Sequence, residues 1–364
     1  MKYYIIAGEA SGDLHGSNLI RELNKLDNEA KIRAWGGDKM KEAGADVVKH
    51  YKDHNFMGFV EVIVHLQTII SNFRFCKKDI LNFKPDVLVL IDFPGFNLRI
   101  AKWAKRQNLK IVYYISPQVW AWKSSRAHTI RKVVDRMITI LPFEKDFYKT
   151  FDIDADYVGH PLLDVLKHEK NNTIEKNTIV LLPGSRTQEI KRMLPVMTSM
   201  ATKFTDYEFV IAGVKNMNPR VYEKYSTQNI KVEYEKLHEL LGKAKAAAVT
   251  SGTATLETAL SNVPLVVCYK GNYLSYRIAK RLIKVKFISL VNLIADKVLV
   301  KELIQHEMNE KNLQTELHRI ITDNTYRNAM FEGFRKLREK LGNEGASARA
   351  AEIIFNSTHK NCKA

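Results

Sequence analysis

The feature that most constrains the fold is a set of short apolar runs, each about as long as a β-strand. Residues 86–91 read DVLVLI and residues 110–115 read KIVYYI, and no charged residue interrupts either run after its first position. A strand with one face in solvent alternates apolar and polar residues, whereas a continuous apolar run is buried on both faces. Strands of this kind are typical of parallel sheets covered by helices, so the runs predict an α/β fold.

The strand pattern occurs twice, which predicts two domains. Strands are predicted over residues 2–7, 86–91, 110–115, 178–182, 208–212, 246–250 and 265–269. The polar stretch 168–173 separates the two series, and 364 residues suit two domains of ordinary size. We therefore predict two facing, Rossmann-like doubly wound domains, 1–168 and 174–340, with a cleft between them. A C-terminal helical segment, 341–364, follows.

Composition indicates the compartment. Hydrophobic residues make up 45% of the chain and charged residues 27%, as in an ordinary globular protein. The three cysteines are far apart and form neither a CxxC pair nor a disulfide framework, which predicts a reducing compartment. Neither a signal-peptide pattern nor an apolar run long enough to span a membrane is present. We expect a cytoplasmic protein that is soluble or attached only to a membrane surface.

The net charge of +17 predicts an anionic partner: nucleic acid, anionic lipid or a phosphorylated substrate. Residues 99–136 carry ten Lys/Arg against the single acid Asp135, and residues 269–286 carry six and no acid. Two solvated basic helix faces are the alternative. Neither segment resembles a nucleic-acid-binding module, so no nucleic-acid partner is predicted.

The apolar stretch 59–70 contains Glu61 and His65, which make it too polar to span a membrane. It is a candidate groove for acyl chains or a patch that enters the lipid surface. A helix buried against its own sheet is the alternative.

Two motifs of the first half follow predicted strands. The loop AGEASGD, 7–13, crowds Glu9, Ser11 and Asp13 at the carboxyl end of a strand, although its glycines do not match the dinucleotide-binding pattern. A tight turn capped by Asp13 is the alternative. In LIDFPGFN, Asp92 ends a strand at the edge where open α/β sheets bind ligands, so it is a candidate general base. The alternative for Asp92 is a turn cap.

The second half contains two further strand–glycine–helix turns. In LLPGSRTQE, 181–189, Ser185 and Gln188 fit a capping box, and Arg186 adds a cation to the positive helix N-terminus. The loop is thus a candidate diphosphate site, with a plain capped helix as the alternative.

The motif TSGTATLE, 250–257, is rich in hydroxyl groups and forms a second candidate phosphate site. Glu257, one turn into the predicted helix, is placed to reach a sugar diol. Its alternative role is to stabilise the helix dipole.

Metal signals are weak in this sequence. Asp152, Asp154 and Asp156 have DxD spacing, which in other transferases holds a metal on a nucleotide diphosphate, but no glycine loop adjoins them. The eleven histidines form no HExxH or HxH pair, so no zinc site is predicted.

Taken together, these motifs resemble those of the lipid-A-disaccharide synthases, glycosyltransferases of the GT-B fold. The motifs that carry the resemblance run in order along most of the chain: AGEASGD (7–13), LIDFPGFN (90–97), YYISPQVWAW (113–122), LPFEKDFY (141–148), YVGHPLLD (157–164), LLPGSR (181–186), TSGTATLE (250–257) and ISLVNLIADKVLVKELIQ (288–305). SPQVWAW and LLPGSR together are specific to this resemblance.

The resemblance implies an inverting enzyme that joins UDP-2,3-diacylglucosamine to 2,3-diacylglucosamine 1-phosphate through a β-1,6 link and releases UDP. It implies no metal cofactor, a place on the inner face of an anionic inner membrane, and no particular oligomeric state. The roles implied for single residues are the base (Asp92), the diphosphate-binding arginine (Arg186), donor contacts (Gly184, Ser185, Ser251, Gly252, Thr253, Glu257 and Asn292) and acceptor contacts (Glu9, Ser11, Asp13, Asn97, Trp120 and Trp122).

The sequence departs from the family at one position of the second motif. Many members read DxPDFN, whereas Gly95 stands here in place of the second acid, so a role for that carboxylate is absent. Another enzyme of the same fold that uses UDP-N-acetylglucosamine, a 2-epimerase or the peptidoglycan transferase, is the alternative function. A non-catalytic basic protein that binds nucleic acid or membrane is the alternative of another class.

Overall fold

The computed structural model describes residues 1–53, 66–122, 124–166, 177–215, 217–234, 236–272, 276 and 285–359. The chain divides into two compact units. One comprises Met1–Asp164 and Asn343–Ala364, and the other comprises Val165–Gly342. The C-terminal segment therefore belongs to the first unit from Asn343 onward. The predicted linker, 168–173, lies outside the described residues.

The first unit is built on a parallel sheet. Its described strands are β1 (Lys2–Ala7), β2 (Lys31–Gly36), β3 (Asp46–His50), β4 (Val87–Ile91), β5 (Ile111–Tyr114), β6 (Arg136–Thr139) and β7 (Ala155–Tyr157). They lie in the order β3-β2-β1-β4-β5-β6-β7. The chain starts at β1, moves to one edge and returns to β4 on the other side of β1. The direction of winding therefore reverses between β1 and β4, where sheets of this type open a crevice at their carboxyl ends.

Helices cover this sheet, and its interior is aromatic. Those that the structure describes are α1 (Ala10–Leu26), α2 (Asp38–Glu42), α3 (Leu66–Phe83), α4 (Pro94–Arg106), α5 (Val119–Trp122), α6 (Arg126–Val133), α7 (Glu144–Lys149), α8 (Leu162–Val165) and, after the second unit, α16 (Ala346–His359). Tyr4, Trp35 and Tyr113 are fully buried. The indole of Trp35 donates to Tyr4 Oη at 3.0 Å, so the polar atoms of these rings are satisfied inside the core.

The C-terminal helix α16 packs against α1 of the same unit. Asp164 fixes its start, because its carboxylate accepts from the backbone N–H groups of Gly345, Ala346 and Ser347 at 2.6–3.2 Å. A carboxylate at this position also complements the positive end of the helix dipole.

The second unit repeats the arrangement with fewer strands. Its described strands are β8 (Thr178–Leu182), β9 (Glu208–Gly213), β10 (Ile230–Tyr234), β11 (Ala244–Thr250), β12 (Leu265–Tyr269) and β13 (Glu302–Ile304), in the parallel order β10-β9-β8-β11-β12-β13. Its described helices are α9 (Thr187–Thr198), α10 (Arg220–Glu223), α11 (Leu237–Lys243), α12 (Thr253–Leu260), α13 (Leu290–Ala295), α14 (Glu310–Thr322) and α15 (Asn324–Lys340). Here the winding reverses between β8 and β11.

All seven predicted strands are present. Those at 2–7, 178–182 and 265–269 have the predicted bounds. Among the described helices, none combines the length and the apolarity needed to cross a bilayer.

Candidate active site

The first unit brings Glu9 and Asp92 to the same crevice. Strands β1 and β4 pair in register, with Ala7 opposite Ile91 at their carboxyl ends. Glu9 is the N-cap residue of α1, directly after the β1 loop, and Asp92 is the first residue after β4. Two loops that are 83 positions apart in sequence therefore meet where the sheet reverses its winding.

The turn that carries Asp92 has an unusual backbone. Asp92 has φ 42° and Phe93 has φ 49°, so two consecutive non-glycine residues are left-handed. A Cβ at Gly8 would stand 2.3 Å from Cγ of Phe93, so the β1 loop approaches this turn only because residue 8 is glycine. A strained turn that is held by its surroundings is a common property of functional sites.

Asn97 and Tyr113 hold this turn. The fully buried amide of Asn97 donates to the carbonyls of Asp92, Ile91 and Ile6, at 2.8, 3.2 and 3.4 Å. Tyr113 Oη also donates to the carbonyl of Asp92, at 2.6 Å. The side chain of Asn97, predicted to contact the acceptor, is therefore turned into the protein, where it positions Asp92.

The environment of Asp92 suits a proton acceptor. Burial raises the pKa of Asp92 to about 7, the negative charge of Glu9 acts in the same direction, and a hydrogen bond from the backbone of Phe93 opposes them. A carboxyl group with such a pKa binds a proton far more strongly than an ordinary aspartate and is still substantially ionised at neutral pH.

Asp13 has a structural role in this unit. It is 3% exposed, and its carboxylate accepts from the backbone N–H groups of Gly37, Met40 and Lys39 at 2.7–3.2 Å. These groups belong to the start of α2. The alternative in which Asp13 caps its own helix is wrong, because α1 begins at Ala10 and Asp13 lies in its first turn.

The remaining acceptor candidates lie on the same edge of the sheet. Ser11 is half-buried in the first turn of α1. Trp120 is half-buried in α5, which follows β5, and its indole donates to Glu144 Oε1 at 3.1 Å. The side chain of Trp122 lies outside the described residues. Gly95 is exposed, with no atom within 4 Å of where a Cβ would stand, so the missing family carboxylate leaves no packing defect.

The second unit presents glycine turns and helix N-termini at its own reversal point. Gly184 has φ +103°, a conformation that favours glycine. Arg186 is the N-cap residue of α9, its side chain is 53% exposed, and its guanidinium lies 3.2 Å from Glu189 Oε1. The predicted capping box is wrong, because α9 begins at Thr187 and no side chain caps it; Ser185 stands one residue before the N-cap.

The second turn of this unit begins at Ser251 and leads into α12. The Ser251 hydroxyl donates to the carbonyl of Ile288 at 2.8 Å, and the exposed Gly252 and Thr253 are the N-cap and first residue of the helix. Glu257 Oε1 lies 3.4 Å from Nε2 of His238, at the start of α11. The backbone at both helix starts, α9 and α12, is thus arranged in the way that favours anions.

Asn292 differs from the other residues predicted to contact the UDP-sugar, because its side-chain amide already makes all its hydrogen bonds within the protein. It is 0% exposed; Oδ1 accepts from the N–H groups of Leu299 and Val300, and Nδ2 donates to the carbonyl of Val300 and to Glu302, all at 2.8–3.0 Å. These contacts use all the hydrogen-bonding positions of the amide. In this arrangement Asn292 would affect the bound UDP-sugar only indirectly, through the backbone of Leu299 and Val300 that it holds.

The DxD residues lie away from these edges. Asp152 and Asp154 precede β7 and Asp156 lies within it, near the amino edge of the sheet. Asp152 pairs with Arg131 at 3.0 Å and Asp156 with Arg136 at 2.8 Å.

Sequence reasoning did not single out Glu144 and His238. Glu144 is 1% exposed, and burial raises its pKa to about 7 against hydrogen bonds from Leu141, Trp120 and Ile140. Its place within LPFEKDFY, one of the motifs that carry the family resemblance, was the available signal. His238 has no motif around it that points to the site.

The comparisons with known proteins agree with these motifs. Residues 3–354 match the family model described as lipid-A-disaccharide synthetase. The lipid-A-disaccharide synthase of Syntrophus aciditrophicus is 39% identical over 374 residues, covering 98% of each chain. That of Trichlorobacter lovleyi is 36% identical over 373 residues, covering 98% of this chain and 97% of the relative. The chain belongs to the lipid-A-disaccharide synthase family. It is accordingly a glycosyltransferase of lipid A biosynthesis, and the alternative functions are not favoured.

Solved structures confirm the GT-B fold class with its two Rossmann-like domains. The UDP-N-acetylglucosamine 2-epimerase of Neisseria meningitidis, bound to UDP-N-acetylglucosamine, superposes with a TM-score of 0.65 and 14% identity, covering 99% of this chain and 100% of the other. The glycosyltransferase of kitacinnamycin superposes with a TM-score of 0.67 and 13% identity, covering 98% and 99%. At these identities the likeness concerns the fold alone.

Proposed function

We propose that the chain transfers the diacylglucosamine of UDP-2,3-diacylglucosamine to the 6-hydroxyl of 2,3-diacylglucosamine 1-phosphate, with inversion. The environment of Asp92 carries this proposal. A sugar hydroxyl is a poor nucleophile until a base removes its proton, and Asp92 has the raised pKa that such a base needs at neutral pH. The oxygen of the acceptor then attacks the anomeric carbon while the bond to the diphosphate breaks.

The second unit is proposed to hold the departing UDP. Negative charge grows on the diphosphate as its bond to the sugar breaks, so fixed positive groups near it lower the barrier. Arg186 offers a charged fork of donors, and the N-termini of α9 and α12 offer backbone N–H groups. Glu257, beside His238, is proposed to contact the ribose diol, and Gly184, Ser185, Ser251, Gly252 and Thr253 to line the donor site.

The direct test is to mix purified protein with both glycolipid substrates in detergent micelles and to measure UDP release together with the disaccharide product. We expect UDP and disaccharide in equal amounts, and no UDP when the acceptor is omitted. A parallel incubation with UDP-N-acetylglucosamine alone, followed by NMR, tests the alternative enzyme. Epimerised sugar there, without disaccharide in the first reaction, would contradict the proposal.

We also propose that the protein attaches to the inner face of the anionic inner membrane. Helix α3 exposes Ile70 and Leu81, at 43% and 50%, with the exposed Arg74 on the same face by helical spacing. Exposed basic side chains on α4 and α6 are proposed to attract the anionic lipid headgroups. Most of the apolar stretch 59–70 lies outside the described residues. Sedimentation with vesicles should show binding to anionic lipid that weakens in high salt, and equal binding to neutral vesicles would contradict the electrostatic part.

A further inference from the structure

Glu144 occupies a position in the first unit that the proposed mechanism leaves unused. It is the first residue of α7, just after β6, and its carboxylate folds back over the turn that precedes it. Oε2 accepts from the backbone N–H groups of Leu141 and Ile140 at 3.1 and 3.3 Å, and Oε1 accepts from the indole of Trp120 at 3.1 Å. A buried carboxylate therefore joins the loop after β6 to the loop after β5.

The ring of Trp120 is fixed on two sides by this region. Its indole N–H points to Glu144, and its ring meets Phe143 edge-on, with centroids 4.9 Å apart and planes at 88°. Its neighbours Val119 and Ala121 are buried, at 1% and 9% exposed, whereas Trp120 is half-buried. The short helix α5 thus packs inward through Val119 and Ala121, and the ring of Trp120, held by Glu144 and Phe143, stays partly exposed.

A second contact joins the same two segments. The hydroxyls of Ser116, in the loop after β5, and Tyr148, in α7, lie 2.7 Å apart and are both buried. Two contacts thus hold the segment after β5 against α7. The Trp120 ring is therefore placed before any ligand arrives, which lowers the entropic cost of binding.

The chemistry of its partners explains why residue 144 is a carboxylate. Two backbone N–H groups and an indole N–H are all donors, and a carboxylate has acceptor positions for all of them. A glutamine of the same shape has one acceptor oxygen. If that oxygen serves the backbone, the glutamine amide N–H faces the indole N–H, and Trp120 loses its partner.

We infer that Glu144 is a positioning residue that sets the affinity for the acceptor glycolipid by holding the indole of Trp120. The inference deepens the proposed function: it rests on that proposal for the identity of the acceptor, and on the role that the family resemblance implies for Trp120 as an acceptor contact. Glu144 acts through Trp120, at the same sheet edge as Asp92 but after a different strand.

The test uses the full-length Glu144→Gln, Trp120→Phe and double variants. For Glu144→Gln we expect the KM for 2,3-diacylglucosamine 1-phosphate to rise about 10-fold, with kcat at saturating acceptor and the Kd for UDP within about two-fold of wild type. The double variant should be no worse than Trp120→Phe, because both changes remove one interaction. Glu29→Gln, an exposed acid of the same unit, is the matched control and should change nothing.

A second readout does not depend on turnover. Acrylamide quenching of tryptophan emission, compared between proteins with and without Trp120, isolates the signal of that ring among the four tryptophans. We expect Glu144→Gln to increase quenching of Trp120 and Glu29→Gln to leave it unchanged. Unchanged quenching in Glu144→Gln would overturn the inference, even if the wild-type protein proved inactive and the proposed function itself failed.

The kinetic measurements can also overturn the inference. An unchanged acceptor KM in folded Glu144→Gln, or losses that add in the double variant, would show that Glu144 does not act through Trp120. If circular dichroism shows that Glu144→Gln does not fold, the acceptor KM of Trp120→Phe provides the test instead. That variant keeps Glu144 and deletes the indole N–H, and an unchanged acceptor KM would refute the role of the ring.

Discussion

Both units contain a point where the winding of the sheet reverses, but the residues around that point are acidic in the first unit and favour anions in the second. Between β1 and β4 the crevice holds two carboxylates, Glu9 and Asp92, and burial raises the pKa of Asp92 to about 7. Between β8 and β11 the corresponding loops hold glycines, hydroxyls, two helix N-termini and the exposed Arg186. The sheet order fixes where a ligand can bind, and the loop residues decide whether that place favours a proton or an anion.

The contrast extends to how each site is held. Asp92 stands on a left-handed turn that Asn97 and Tyr113 fix from inside the protein. The guanidinium of Arg186 lies 3.2 Å from Glu189 Oε1, and its side chain is 53% exposed. A base must be placed precisely relative to one hydroxyl, whereas a diphosphate offers several oxygens to a cation.

The largest effect should come from Asp92→Asn, which keeps the shape and removes the proton acceptor. Because general base catalysis contributes roughly 10²–10⁴-fold, we expect kcat to fall by about that factor. The Kd for UDP should not change, since the proposed contacts with the sugar donor all belong to the second unit. Steady-state kinetics together with calorimetry of UDP binding make the comparison.

Asp154→Asn is the control, because Asp154 is an exposed acid of the same unit away from the crevice. Near-normal kcat in folded Asp92→Asn would show that Asp92 is structural. The base would then have to be sought at Glu9, since Asp13 is committed to the start of α2.

Arg186→Ala should produce the opposite pattern. It removes a charge-assisted contact worth about 1.5–3 kcal/mol, so UDP binding should weaken at least about 10-fold. The rate should also fall, because charge on the leaving group grows in the transition state. Arg220→Ala, an exposed arginine of the same unit, is the matched control. If UDP affinity survives in Arg186→Ala, the anion-binding role belongs to the helix N-termini alone.

Most strands inside the two sheets, and the glycine loops that follow them, were predictable from the sequence. Strands buried on both faces, such as Lys2–Ala7 and Thr178–Leu182, are continuous apolar runs with clear ends. Six described strands were not predicted, because they are short or partly polar. Four are edge strands (Asp46–His50, Ala155–Tyr157, Ile230–Tyr234 and Glu302–Ile304), and two lie inside the first sheet (Lys31–Gly36 and Arg136–Thr139). Glycine turns after strands identified both crevices.

The sequence did not predict how single polar side chains are used. Asp13 bonds Gly37 and Asn292 clamps Val300, and these partners depend on where the next strand returns. Glu144 meets Trp120 across 24 residues that include one strand, β6. A motif places a residue at an edge of the sheet, but tertiary contacts decide whether its side chain faces a ligand or the protein.

Glu9→Gln should produce a smaller effect that tests the coupling within the first crevice. A base with a pKa of about 7 loses activity as the pH falls through 7, because protonation removes its acceptor. Glu9 is the second cause of the raised pKa, after burial, so removing its charge should lower the pKa of Asp92. The acidic limb of kcat/KM should therefore move to lower pH. A limb that stays in place, or moves up, would refute the coupling, and Asp154→Asn is again the control.

The smallest effect is expected from chelation of divalent metals, which should leave turnover unchanged. In other transferases a metal balances the charge of the diphosphate. Here Arg186 and two helix N-termini of the second crevice are proposed to balance that charge. The competing signal is the DxD of the first unit, but Asp152 and Asp156 there are paired with arginines near the amino edge of the sheet. Turnover measured after exhaustive dialysis against EDTA, with and without added Mg²⁺ or Mn²⁺, decides between them. If chelation abolished turnover and metal restored it, Asp154→Asn would show whether the DxD is the source, and the positive groups of the second crevice would be insufficient by themselves.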